Sequence, residues 1–187
     1  MDTVQKFRHY RSKKLGFLAQ GLIKAGLNAN HLTFLSLLSG LAAVYFLFNS
    51  YYLFALFVLL HLIFDSLDGV VARATKITYF GKYVDMMADS SVTFLVLLKA
   101  AWFLQELYAY LAAGLFLLTL VIHLVSRLQA PMVFIRTVTL AVVLIATHPQ
   151  FPYQILTLTF EYLAAGGVSL YSLARQLQWR INHGKSR

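Results

Sequence analysis

Six apolar stretches, each near the length of a bilayer crossing, follow one another with only brief polar or proline-containing breaks between them, at roughly 31–48, 52–74, 81–104, 108–128, 131–148 and 153–175. A helix needs about 20 apolar residues to cross the hydrocarbon core of a membrane. Of the 187 residues, 59% are hydrophobic and 12% charged, and a soluble domain of this size cannot hide so much apolar surface. The fold class expected is all-α integral membrane, with six transmembrane helices over 31–175.

Val4, Phe7, Leu15, Leu18, Leu22 and Ile23 recur at helical spacing among bases ahead of the first span. This pattern predicts an interfacial amphipathic helix over 1–30, the plainer alternative being a solvated basic tail. The start of the chain lacks the short apolar core and small-residue cleavage site of a signal peptide, so none is expected. Residues 176–187 read as a basic tail. Lys and Arg gather before the first span, between the second and third, around the fourth connection and after the sixth. The connections at 49–51, 105–107 and 148–152 carry none. The positive-inside rule then puts both termini in the cytoplasm, and Lys99 is left to snorkel from the far end of the third span.

The formal net charge of +9 comes from bases beside apolar spans. That placement favours lipid headgroups and phosphorylated substrates as partners over nucleic acid. Cysteine is absent, so any metal must be held by oxygen or imidazole.

Only seven residues are acidic, and Asp65, Asp68, Asp85 and Asp89 fall within or beside the second and third spans. A charge at the centre of a lipid-facing helix costs about 2.5–3.5 kcal/mol on insertion scales, so such a cluster belongs to a polar cavity with a counter-ion. At about 100° per residue, Asp65, Asp68, Gly69 and Ala72 share one arc of the second helix, and Gly81, Asp85, Ala88 and Asp89 one stripe of the third. Short carboxylates suit Mg²⁺, Mn²⁺ or Ca²⁺, and glycine and alanine beside them leave room for a bulky ligand. Two alternatives stay open on these residues alone: small-residue helix packing, and a proton or cation pathway in a transporter. All four acids lie toward the ends of their helices near Arg73 and Lys76, which suits a headgroup-level site better than a midplane pore.

Residues 65–89 read DSLDGVVARATKITYFGKYVDMMAD. This string resembles the signature of the CDP-alcohol phosphotransferase family: Asp, two residues, Asp-Gly, two residues, Ala-Arg, a spacer, Gly, three residues, Asp, three residues, Asp. All eight specified positions are filled, with a spacer of seven residues between Arg73 and Gly81 where many relatives have eight. Upstream, Asn30-His31-Leu32-Thr33 is similar to the family's Pro-Asn-x-x-Thr entry to the first span, with Ala29 in place of proline. Asn30 is equally well placed to cap that helix.

The resemblance implies a membrane transferase of phospholipid synthesis, in a bacterial or archaeal inner membrane or its organelle equivalent, working as a homodimer. The donor implied is CDP-diacylglycerol, the acceptor a small alcohol and the leaving group CMP. Asp65, Asp68, Asp85 and Asp89 would hold a pair of divalent ions, Mg²⁺ or Mn²⁺, with Asp89 also the general base. Asp68, Gly69, Ala72, Arg73 and Gly81 would receive the CDP group, although Arg73 alone could be a positive-inside anchor. Arg127, Arg136 and Arg175 would form a cationic pocket for the acceptor's phosphate, or else act singly as interfacial anchors. The arginine pair and the tail from Tyr162 to Ser172 resemble phosphatidylglycerophosphate synthases, making glycerol 3-phosphate the preferred acceptor; an inositol phosphate or another alcohol remains open. The Gly-Val-Ala-Pro stretch of phosphatidylserine synthases is absent after Asp89, where the chain reads SSVTFLVLL. His61 and His123 are as suited to local hydrogen bonds as to chemistry, and Glu161, in mid-span, needs a partner.

Overall fold

A computed structural model describes residues 16–184, and among these the regular structure is helical throughout. Helix α1 is described over 16–24, followed by α2 (Ala29–Phe46), α3 (Tyr51–Ala74), α4 (Tyr79–Leu104), α5 (Leu107–Val125), α6 (Arg136–Ala146) and α7 (Gln154–Gly184). Of these, α2, α3, α4 and α5 are long and apolar enough to cross a membrane. With the many large apolar side chains left on the outer surface, among them Phe34, Leu59, Trp102 and Phe160, this makes the chain a membrane protein.

The first four spans fall where the apolar stretches put them, and the fifth does not. Residues 131–135 are not helical, and α6 has only 11 residues. At 1.5 Å per residue that is about 16 Å, short of the hydrocarbon thickness. The cause lies upstream. After α5 ends, Arg127 and Leu128 both adopt left-handed backbone conformations (φ 57° and 65°), which non-glycine residues rarely take. Two tyrosines of α4 hold this turn: Tyr79 donates its hydroxyl to the Arg127 carbonyl at 2.8 Å and Tyr83 to that of Leu124 at 2.9 Å. The sixth stretch begins as expected, but its helix runs on to Gly184. Of the expected interfacial helix, 1–15 lie outside the described residues. The described part buries Ala19 and packs Leu22 and Ile23 on Leu32, Val70 and Val71.

Helix α2 packs along α3 and α4, α5 along α7 and α4, and α6 fits between α4 and α7. The main core draws Phe54 and Val58 from α3, Val92 and Val96 from α4, Leu140 and Val143 from α6, and Leu158 from α7. Lipid tails are as apolar as these side chains, so association must come from close fit and polar contacts. Gly40 supplies the fit: a Cβ there would run into the Val92 methyls and lie 3.2 Å from His61 Nδ1. His61 and Ser36 supply a polar contact, Nδ1 donating to the Ser36 carbonyl at 3.0 Å and the serine hydroxyl to the His61 carbonyl at 3.1 Å. At the opposite end, Lys99 donates to the carbonyls of Val44 and Tyr45 at 2.7 and 2.8 Å. It thereby caps the C-terminus of α2, where a cation is favoured.

Candidate active site

Two helix starts set the floor of the site. Asn28, rather than Asn30, caps α2, its side-chain oxygen accepting from the His31 amide at 3.0 Å while the His31 ring accepts from the Asn28 amide at 3.5 Å. Asn30 is thereby left to line a cavity. Thr78 caps α4 by accepting from the Gly81 amide at 3.0 Å. A Cβ on Gly81 would come within 2.9 Å of that capping hydroxyl and 3.6 Å of Asn30 Oδ1.

The cavity measures about 750 Å³, a size that accommodates a small-molecule ligand. Its wall carries Asp68, Gly69, Ala72 and Arg73 from α3, and Gly81, Asp85 and Asp89 from α4. Arg73, Lys76 and Lys82 add three cations to the same wall. The cavity is thus lined by carboxylates and by basic side chains together.

Asp65, Asp68 and Asp85 each bring a carboxylate oxygen to within 4.8 Å of the others'. Like charges this close raise one another's energy, and a divalent cation with hard oxygen ligands relieves the repulsion. The donor set therefore fits such an ion. Asp68 is the most buried of the three, 4% exposed, and accepts from the Thr33 hydroxyl at 2.9 Å. Asp89 stands outside this triad and ion-pairs with Arg136, whose other guanidinium nitrogen is 2.6 Å from Asp65 Oδ2.

The three arginines expected to form one pocket have different settings. Arg136 lines the aspartate cavity and is engaged by Asp89 on its wall and by Asp65 beside it. Arg175 lines a separate hollow of about 140 Å³ with Tyr171 and Ser172, donating to the Tyr171 hydroxyl at 3.3 Å. Arg127 is exposed at the α5 turn. Glu161 has the partner its position called for, since Thr139 donates to its Oε1 at 2.8 Å within the core. His123 bonds through Nδ1 to the Ala130 carbonyl and also faces the cavity.

Sequence reasoning did not assign Thr33 to Asp68, or Lys76 and Lys82 to the cavity wall. The lysines' signal was their place inside the motif spacer and just after it. For Thr33 the signal was the Asn-x-x-Thr string. Residues 27–178, most of the chain, match the family model described as CDP-alcohol phosphatidyltransferase. No curated protein and no solved structure matches the chain.

Proposed function

The chain belongs to the CDP-alcohol phosphatidyltransferase family, enzymes that transfer a phosphatidyl group from a CDP-alcohol to an alcohol acceptor, and on that premise we propose that its donor is CDP-diacylglycerol and its acceptor glycerol 3-phosphate. CMP is the leaving group. The observation that carries this reading is the meeting of carboxylates and basic side chains in one cavity, with Asp68, Gly69, Ala72, Arg73, Gly81, Asp85 and Asp89 on its wall.

The family uses divalent metals. Asp65, Asp68 and Asp85, with Asp89 sharing, would hold a pair of Mg²⁺ or Mn²⁺ ions, which when bound supply positive charge to the donor's pyrophosphate. Gly69, Ala72 and Gly81 give the cytidine and ribose room beside the helix backbones, and Arg73 pairs with phosphate, backed by Lys76 and Lys82. Asp89, outside the tight triad, takes the proton from the acceptor hydroxyl. The acceptor oxygen then bonds to the lipid phosphorus, and the bond from that phosphorus to the bridging pyrophosphate oxygen breaks, its electrons leaving with CMP. Arg136, at the start of α6, is the arginine best placed to meet an acceptor phosphate; Arg127 and Arg175 guide it from farther out. The enzyme works as a homodimer, with this cavity and both termini on the cytoplasmic side of a bacterial or archaeal inner membrane or its organelle equivalent.

The test is an acceptor panel of glycerol 3-phosphate, inositol 1-phosphate, inositol, serine, ethanolamine and phosphatidylglycerol, scored for CMP with CDP-diacylglycerol and Mg²⁺ or Mn²⁺. Release with glycerol 3-phosphate alone is expected. Release with inositol 1-phosphate instead would reassign the acceptor. No release with any alcohol, together with cation flux in sealed vesicles, would overturn the transferase reading in favour of a transporter.

A further inference from the structure

Arg136 is the first residue of α6, and its guanidinium meets both Asp65 and Asp89. Two features make this an unusual place for a cation. The N-terminus of a helix carries the positive end of the backbone dipole, which disfavours a positive side chain by about 0.3–1 kcal/mol. The preceding residue, Ile135, offers no side-chain cap to the exposed amides. Local structure therefore does not favour Arg136; the carboxylates do. Among the described residues, Asp65 and Asp89 are the guanidinium's hydrogen-bond and ion-pair partners. All three side chains are largely buried, at 16%, 15% and 23% exposed.

Asp65 is claimed twice. It belongs to the triad whose oxygens lie within 4.8 Å of one another, and it is also the carboxylate Arg136 holds at 2.6 Å. A guanidinium and a divalent cation in one desolvated cluster repel each other strongly. Asp65, Asp68 and Asp85 packed together with Asp89 close by would also repel one another, and a positive charge, from the guanidinium or from a metal ion, relieves that repulsion.

We propose that Arg136 is an exchangeable counter-ion: it neutralises Asp65 and Asp89 when the cluster holds no metal, and releases them when a divalent cation binds. Arg136 thus keeps the metal-free protein folded and sets the concentration of metal needed to load it. The inference concerns binding and folding, so it stands or falls apart from the identity of the acceptor.

The full chain in detergent is titrated with Mn²⁺, free Mn²⁺ being read by electron paramagnetic resonance, and its thermal unfolding is followed in EDTA and in saturating Mn²⁺. Arg136→Gln removes the competitor while keeping hydrogen-bond donors. Losing two charge-assisted contacts that binding must otherwise break should tighten Mn²⁺ affinity by about tenfold or more. The variant should also unfold at lower temperature than wild type in EDTA and recover in saturating Mn²⁺. Affinity decides: tighter binding supports the exchange, and equal or weaker binding overturns it, because Arg136 would then be a fixed support for the ligands. Should Arg136→Gln fail to fold, Arg136→Lys keeps the charge but cannot fork to two carboxylates. A wider gap than wild type's between its unfolding temperatures in EDTA and in saturating Mn²⁺ supports the proposal, and an equal or narrower gap overturns it.

Discussion

The Thr33 hydroxyl of α2 donates to Asp68 Oδ2 of α3 at 2.9 Å, in a position where both side chains are buried. The first span thus holds the most enclosed carboxylate of the cluster in place. Replacing Thr33 with Val keeps the shape and removes the donor. Leaving a buried acceptor unsatisfied costs about 1–3 kcal/mol. Thr33→Val should lower the unfolding temperature measurably and raise the Mg²⁺ concentration needed for half-maximal CMP release. Unchanged values for both would show that Asp68 is held by other means.

Asp89 and the triad should respond differently to neutralisation. Asp89→Asn keeps the side-chain volume and removes the proposed base, so CMP release should fall by about a hundredfold or more at saturating metal. Asp85→Asn removes one oxygen ligand from the triad, and its loss should be partly recovered by raising Mn²⁺. EDTA should stop CMP release by wild type, and added Mg²⁺ or Mn²⁺ restore it. Full turnover by Asp89→Asn in a folded protein would remove it from the role of base.

Gly81 faces the Thr78 cap and Asn30 at once. In Gly81→Ala the new methyl displaces the capping hydroxyl, at a cost of about 0.5–2 kcal/mol, and narrows the cavity next to Asn30. KM for the CDP donor should rise more than stability falls. A change in thermal stability with the donor KM intact would restrict Gly81 to a folding role.

Glu161, paired with Thr139 in the core and outside the aspartate cavity, should be dispensable to the chemistry. Glu161→Gln can still accept from Thr139 and no longer carries a charge. CMP release should stay within about twofold of wild type and stability within about 1 kcal/mol. A loss approaching that of Asp89→Asn would bring Glu161 into the reaction.

The aspartate faces were legible because each carboxylate pair is one helical turn apart, so periodicity alone aligns Asp65 with Asp68 and Asp85 with Asp89. The small residues on the same arcs followed from the same arithmetic. Arg136 was legible only as a positive residue near the fourth connection. Its contact with Asp65 spans 71 residues of sequence, a separation that no local period encodes. The fifth span was misread for a different reason. Residues 131–148 are predominantly apolar, but the chain reaches them through left-handed Arg127 and Leu128, with no glycine to mark the turn. Similarly, two asparagines stand at the start of α2, and composition could not say that Asn28 caps the helix while Asn30 faces the cavity.

Asp68 lies six residues from the C-terminal end of α3, about 9 Å at the rise of a helix. With CDP-diacylglycerol as the proposed donor, a cavity at that depth would meet the lipid at its phosphate, with the acyl tails running toward the middle of the bilayer. Turnover would then depend little on those tails, and a cell that shortens or desaturates its fatty acids as the temperature drops would not need to retune the protein.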